Sequence, residues 1–288
     1  MLRQFCYKVY LPSVQRFVYF EEMTNREYCN ILKYLANSDH DGACEYVEFM
    51  LNNKVQQDIK LHRIDKFCAL LTMISVCIKS NITLNTKCSH TDKDYTIPVN
   101  LMGILNMISN VDYRSDYIDV PAGEVSVRLQ FPNKLYIDQD ITVYDLMSSI
   151  HTSEGVHDIS DFTQEMKQNL TDQLPGQFIT QSTDLIKDYS LMYEDKVYFI
   201  NKSPYHDSGE SPISLSLIDN TFPVFCLTLI RTDLKNIYEL SHAMSTHYRL
   251  SHEHFLNITP VESQIYQDLM KRDADQSSEV ESSNPLDK

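Results

Sequence analysis

The sequence of 288 residues contains no tryptophan and only six glycines. The glycine-rich patterns that cradle phosphate groups, GxxxxGK[ST] and GxGxxG, are both missing, which argues against a glycine-rich nucleotide-binding fold. The zincin pattern HExxH and the GxSxG turn of serine hydrolases are missing as well. With no catalytic motif present, the sequence predicts a protein that is not an enzyme.

Positive charge is scarce, because 25 Lys and Arg residues face 40 Asp and Glu residues, a formal net charge of −15. The last sixteen residues carry five acids and one lysine, which leaves about −11 for residues 1–272. No cluster of Lys and Arg offsets this charge. A chain this acidic repels the phosphate backbone, so we expect no nucleic-acid partner.

Long hydrophobic runs and a disulfide pattern are also missing. The longest uncharged apolar stretch, Phe67–Ile78, is too short to cross a bilayer, and the N-terminal MLRQFCYKVYLP has no signal core. The seven cysteines are odd in number, irregularly spaced and without a CxxC pair, which predicts reduced thiols in a cytosolic compartment. Because hydrophobic residues make up 42% of the chain, we expect a soluble, globular protein.

Residues 1–110 predict an N-terminal hairpin followed by helices. Alternating apolar residues indicate two strands within 3–20, with a turn near Pro12–Gln15. Thr24 and Glu27 form a capping-box pattern that starts a helix. The other predicted elements are helices to about Asn37, over Ala43–Asn52, His62–Ser80 and Leu101–Ile108, and a second hairpin from Ile82–Cys88 and Tyr95–Val99, near 82–99.

Residues 111–222 predict a β-rich middle region. Val125, Val127 and Leu129 alternate as in a strand, and we expect Leu135–Ile137 to pair with them. The segment 150–220 carries no pattern that assigns it a role. Local patterns within and just before this segment predict helices over Thr142–Ile150 and Asp161–Leu170, a linker over Ser153–Ser160 and a loop over Tyr198–Ser216.

Residues 223–272 predict a C-terminal helix pair, and 273–288 predict a disordered acidic tail. The helical period returns from Val224, and Thr259-Pro260-Val261-Glu262 is a strong signal for the start of the second helix. The fold class predicted for the whole chain is α+β, a helix-rich body with two hairpins and a β-rich middle.

Four histidines, His242, His247, His252 and His254, lie within thirteen positions and are the densest group of candidate metal ligands. His242 and His247 are five residues apart, about 140° around a helix, a poor spacing for one metal. We therefore interpret the cluster as part of a helix–loop–helix, with His252 and His254 in the connection, and predict no metal and no cofactor. A metal-dependent enzyme that uses residues 242–254 is kept as an alternative.

Two further sets of residues are candidates for function. Cys88 and His90 at the tip of the second hairpin could form half of a metal knuckle, but no second half is visible and a polar turn is the preferred interpretation. Tyr238, Tyr248 and Phe255, large side chains beside the predicted polar turn, are candidate partner contacts, although ordinary packing is the preferred interpretation.

Four stretches carry a family resemblance: VYFEEMTNREYCNILKYLANSD, RIDKFCALLTMISVCIKSNITL, KCSHTDKDYTIPVNLMGIL and LKNIYELSHAMSTHYRLSHEHFLNITPVESQIY. In order and pattern they resemble the hub proteins of T4-type contractile phage baseplates, a family of small hub subunits and hub-assembly factors. The resemblance covers roughly 5–110 and 224–270. Some members carry a cysteine knuckle in the hairpin, where this chain keeps only Cys88 and His90.

The resemblance implies a non-enzymatic structural component of the baseplate hub, located in the virion tail and assembled in the host cytoplasm. Its implied partners are other tail and hub proteins, without nucleic acid or a membrane segment, and an oligomer is compatible with this role. Three alternatives remain open: a hub-assembly chaperone absent from the mature particle, the metal-dependent enzyme, and an adaptor whose acidic tail mimics nucleic acid.

Overall fold

The computed structural model describes residues 6–282, apart from positions 79, 89, 138–140, 195, 202–203, 206–210 and 231–233. Helices and small antiparallel sheets alternate along the chain, so the predicted α+β class is confirmed. The elements are, in order, β1 (Cys6–Leu11), β2 (Arg16–Glu21), α1 (Asn25–Ala36), α2 (His40–Lys54), α3 (Arg63–Cys77), β3 (Asn81–Lys87), β4 (Asp94–Asn100), α4 (Leu101–Ser109), β5 (Tyr117–Ala122), β6 (Val125–Gln130), α5 (Val143–Leu146), β7 (Met147–Thr152), β8 (Gly155–Asp158), α6 (Gln164–Thr171), α7 (Phe178–Leu191), β9 (Val197–Asn201), β10 (Ser211–Leu215), α8 (Thr221–Ile230), α9 (Leu234–Tyr248), α10 (His252–Asn257) and α11 (Pro260–Ser282).

The N-terminal hairpin forms as predicted. β1 and β2 pair in antiparallel register, with Tyr10 opposite Phe17, and the turn spans residues 12–15. Alternation sends Val9 and Phe20 into the core and leaves the other face of the hairpin outside. One face of the hairpin therefore packs on α3, while the opposite face points to solvent.

Helix α3 is the centre of the main core. Its residues from Ile64 to Ile74 are all buried, including the charged Asp65 and Lys66. Buried charges require partners. Asp65 accepts hydrogen bonds from the backbone and hydroxyl of Ser13, and Lys66 forms an ion pair of 2.8 Å with Glu48. These pairs fix the hairpin turn and α2 against α3.

Local sequence signals place the surrounding elements correctly. The capping box is present at α1, where Thr24 and Glu27 exchange hydrogen bonds. The second hairpin, β3 with β4, and the short helix α4 also lie where they were predicted. The main core then continues into α8, α9 and α10, so the N-terminal region and the C-terminal helices bury their apolar residues together.

The middle region has its own sheet, whose strand order is β5-β6-β7-β8. This sheet has a second, smaller core, called the sheet core below. It contains Phe178 of α7 and the sheet residues Val120, Val127, Leu129 and Met147. The β-rich character was predicted, but much of its detail was not.

Three predictions for the middle region are wrong. Leu135–Ile137 does not pair with β6, because β5 and β7 occupy both edges of that strand. The helix predicted over Thr142–Ile150 ends after the single turn α5, since β7 pairs with β6 instead. The linker predicted over Ser153–Ser160 contains β8, which completes the sheet.

Two elements lie where no regular structure was predicted. Helix α7 occupies part of the unassigned segment, and its buried Phe178 and Tyr189 pack against the sheet core and the main core. The predicted loop 198–216 instead holds the hairpin of β9 and β10. Its Ser, Pro and Gly residues are turn formers, but cross-strand pairing satisfies the backbone on both sides of the turn.

The C-terminal region differs from the predicted helix pair and tail. Among the residues described, 223–282 contain most of α8 followed by α9, α10 and α11. Helix α11 continues to Ser282, through residues predicted to be a disordered tail; positions 283–288 lie outside the described residues. Good helix formers such as Ala274 allow this continuation.

Candidate functional site

The four histidines do not converge. His242 and His247 are exposed on α9, and His254 is exposed on α10. The Nδ1 atom of His252 is 2.8 Å from the Ser241 hydroxyl. Over the part of the chain that the structure describes, no three His, Cys, Asp or Glu side chains are grouped as metal ligands.

The region that connects α9 and α11 also differs from the prediction. His252 and His254 were expected in an irregular connection, but they belong to the short helix α10, which begins at the N-cap Ser251. The predicted cap before α11 is present, since the amide of Glu262 donates to the Thr259 hydroxyl across 3.1 Å. The Glu262 carboxylate in turn accepts from the backbone N–H of Thr259 across 2.8 Å, so Glu262 is a capping carboxylate.

Cys88 and His90 lie in the turn between β3 and β4. Cys88 is buried, and its backbone N–H donates to the carbonyl of Lys93 across 2.9 Å, while His90 is exposed. All seven cysteines lie within the described residues, and none forms a disulfide there.

The three candidate partner contacts lie in different environments. Tyr238 is 47% exposed on α9. Tyr248 is half-buried, with its ring 5.6 Å from that of Tyr266. Phe255 is only 1% exposed and packs in the main core, so its side chain is not on the surface. Two of the three residues therefore stay available as contacts.

A larger aromatic surface lies on the outer face of the N-terminal hairpin. Phe17 is 62% exposed and Tyr19 is 41% exposed. The ring of Phe17 lies 5.5 Å from that of Tyr10, and Lys8 stands over Tyr19 at 5.4 Å. Contiguous exposed apolar groups of this kind mark interaction surfaces. The strand alternation predicts an outward face for this hairpin, but alternation alone does not indicate that the aromatic residues on that face contact a partner.

A cleft of about 700 Å³ lies between two lobes, one built around the main core and the other around the sheet core. We call it the inter-lobe cleft. One wall comes from the start of α3 and residues 217–220, and the other from α7 and the segment around α5. Its apolar lining includes Phe67, Phe131, Ile137, Ile141, Leu146, Ile186, Tyr189 and Leu217.

Arg63 holds one end of the cleft together. Its Nη1 donates to the carbonyl of Ile218 across 2.6 Å, and its Nη2 donates to the carbonyls of Leu135 and Asp219 across 3.0 and 2.8 Å. Desolvation by burial lowers the pKa of Arg63 to about 10, so the guanidinium still carries its charge near neutral pH. The Nε atom is buried and has no hydrogen-bond partner among the described residues.

The cleft also carries a group of polar and aromatic side chains. The Tyr113 hydroxyl donates to Asp116 across 3.0 Å, and Asp116 also contacts Nδ1 of His62. This contact with the carboxylate raises the pKa of His62. The rings of Phe131 and Tyr189 stack in parallel at 3.9 Å and join the two lobes beside the cleft.

Sequence patterns do not reveal the cleft, because its walls come from four segments that are distant in sequence. The one available signal is an arginine at the start of the helix predicted over His62–Ser80.

These features define an α+β protein with a double core, an inter-lobe cleft and an exposed aromatic hairpin. The sequence model of the T4 bacteriophage base plate protein family matches residues 4–194, which is 191 of the 288 residues. The chain therefore belongs to this family and is a phage baseplate protein, a component of the virion tail that contacts other tail proteins.

No curated protein and no solved structure matches the chain. Within the described residues, no helix is both long enough and apolar enough to span a membrane.

Proposed function

We propose that this protein is a non-enzymatic structural subunit of the baseplate hub, built into the tail in the host cytoplasm and retained in the mature virion. Its membership of the base plate protein family carries the proposal. The resemblance of the N-terminal and C-terminal stretches to hub proteins supports the hub as its location within the baseplate.

The surface of the protein supports a role in protein–protein contacts. Phe17 and Tyr19 on the hairpin, and Tyr238 on α9, are large aromatic side chains exposed to solvent. Aromatic residues are enriched where protein interfaces form. We assign contacts with neighbouring tail proteins to these side chains and to the partly exposed Tyr248.

Quantitative mass spectrometry of gradient-purified virions, compared with the crude lysate of infected cells, tests the proposal. A hub subunit is present at a fixed, small number of copies per particle. A chain that is abundant in the lysate and missing from particles would instead be an assembly chaperone, and the proposal of a hub subunit would fail.

The metal-dependent alternative has a separate test. An enzyme that uses residues 242–254 would retain zinc or iron at close to one ion per chain after purification. The separation of the four histidines between two helices does not favour this alternative, since a structural zinc site needs ligands about 2.0–2.3 Å from one ion.

A further inference from the structure

The inter-lobe cleft is too large to be a packing defect. Protein interiors contain few voids larger than a water molecule, whereas ligand sites typically occupy about 300–1,000 Å³. The volume of about 700 Å³ lies well inside the range of binding sites. Its place between two cores is also where such sites occur.

The walls of the cleft are held in place without a ligand. Arg63 ties the segment at Leu135 to the segment at Ile218. The side chain of Asn220 brackets Ile137, accepting from its N–H across 2.8 Å and donating to its carbonyl across 2.6 Å. These bonds fix the loops that form the wall opposite α7.

Helix α7 presents a mainly apolar wall. The hydroxyls of Thr183 and Ser190 donate to the carbonyls of Ile179 and Ile186 in their own helix, across 2.9 Å in both cases. Their hydrogen-bond donors are thus used within the helix. An occupant therefore meets mainly hydrocarbon and aromatic surface along this side.

The polar groups of the lining limit what an occupant can be. The Nη atoms of Arg63 already donate to three backbone carbonyls, so the guanidinium does not need an anion from an occupant. The charged residues of the lining are Arg63, Asp116 and Asp219, a net charge of −1 in a chain of net charge −15. An anionic occupant is therefore disfavoured, and a basic group at the rim is favoured.

We propose that the cleft binds an apolar peptide segment, flanked by a lysine or arginine, of another tail protein. The proposal rests on the proposed function. A peptide combines apolar side chains, which match the lining, with backbone N–H groups or a basic side chain that can donate to the Asp219 carboxylate. Asp219 Oδ1 already accepts from the backbone and hydroxyl of Thr221, and a carboxylate has capacity for further donors.

The test uses the purified full-length chain and short overlapping synthetic peptides that cover the tail proteins of the same phage, including this chain. Thr183→Trp and Ser190→Trp place an indole in the cleft from α7. Thr180→Trp is the matched control, because Thr180 is exposed on the same helix and does not line the cleft. Retained peptides are then measured by titration calorimetry at low and high salt.

We expect the wild type to retain apolar peptides that contain Lys or Arg. Filling the cleft raises their Kd at least about tenfold, which is ~1.4 kcal/mol, and the control leaves it unchanged. Added salt weakens the binding because the chain is acidic. If Ser190→Trp fails to fold, Thr183→Trp at an exposed position carries the test.

Several results would overturn the proposal: no retained peptide, retention of acidic peptides, retention of peptides from this chain alone, or equal binding by the filled variants. The count of copies per virion is a separate measurement. If the chain is absent from particles, the proposal of a hub subunit is overturned. If the chain is present in particles but no peptide binds in the cleft, only the cleft proposal is overturned.

Discussion

The side-chain amide of Asn25 donates a hydrogen bond of 2.8 Å to the carbonyl oxygen of Phe255, although 230 positions separate the two residues. The same amide lies 2.5 Å from the hydroxyl of Ser263, and the backbone N–H of Asn25 donates to the carbonyl of Ile258 across 2.8 Å. The first helix of the chain therefore begins against the last two helices, in a site where Asn25 is 2% exposed.

Asn25→Ala should destabilise the whole protein. The substitution leaves the buried Phe255 carbonyl and Ser263 hydroxyl without their donor, which costs roughly 1–3 kcal/mol. Urea unfolding followed by circular dichroism measures the loss. Asn257→Ala is the control, since the amide of Asn257 makes an exposed bond to Glu253; an equal loss in both variants would contradict the role given to Asn25.

Asp65→Ala should cost more than a typical core substitution. Three donors, the N–H and hydroxyl of Ser13 and the N–H of His62, point at this fully buried carboxylate. Hydrogen bonds to a charged group contribute about 1.5–3 kcal/mol each, and these are not strictly additive. We expect a loss of at least ~3 kcal/mol in the free energy of unfolding. A loss below about 1 kcal/mol, which is roughly the contribution of one neutral hydrogen bond, would show that the hairpin turn does not depend on this contact.

Stability should fall as the pH rises above the ordinary pKa of histidine. The Asp116 carboxylate raises the pKa of His62 above its ordinary value of about 6.5. A group with a raised pKa in the folded state contributes its full stabilisation below the unfolded pKa and loses it as the pH rises through the folded value. The wild type should therefore lose stability as the pH rises from about 6.5 through the raised pKa of the folded state.

His62→Asn provides the reference for this pH effect, because asparagine keeps a good N-cap for α3 and does not titrate. The difference in unfolding free energy between wild type and variant should shrink with rising pH. Titration of the His62 ring by NMR gives the pKa directly. A difference that stays constant with pH would refute the coupling to Asp116.

The cysteines should differ sharply in reactivity. Cys68 and Cys226 are fully buried, and desolvation raises the pKa of both thiols. Cys6 is only half-buried on the outer hairpin. In a native sample, iodoacetamide should modify Cys6 first, and the six buried cysteines should react only at the rate of local opening. Peptide mapping by mass spectrometry identifies the order, and early modification of Cys226 would contradict this packing.

Phe17→Ser should reduce incorporation of the protein into particles. A large exposed aromatic side chain that becomes buried in an interface contributes about 1–2 kcal/mol or more, so affinity should fall about fivefold to thirtyfold or further. Val156→Ser on β8 changes a side chain of similar exposure, 65%, outside the aromatic hairpin. Copies per virion measure both effects, and an equal count for both variants would remove the hairpin from the interface.

Local chemistry explains which elements could be predicted from the sequence. The capping boxes at Thr24 and Thr259 involve residues three positions apart, so their pattern is visible in a short window. Strand β7 could not be found in this way. Its residues follow a helical turn at Leu146, and the backbone of β6, some twenty positions earlier, decides that they extend.

The candidate site was less predictable than the fold. The four histidines are close in sequence and divide between α9 and α10, yet in the described part of the chain no three candidate ligands are grouped. The cleft depends on Arg63 and Asn220. The hydrogen-bond partners of Arg63 lie 72 to 156 positions away in the sequence, and the partner of Asn220 lies 83 positions away. Only the packing of distant segments reveals that these two side chains close a cavity.

The clamp formed by Arg63 also has a consequence for synthesis on the ribosome. The family match ends at residue 194, but the carbonyls of Ile218 and Asp219 that Arg63 binds come later, the second of them 156 positions after Arg63. At typical elongation rates the nascent chain waits roughly ten to thirty seconds between the two. During that interval α3 exposes a surface that only the later helices cover, so premature termination after residue 194 should yield an aggregation-prone fragment rather than a smaller stable domain.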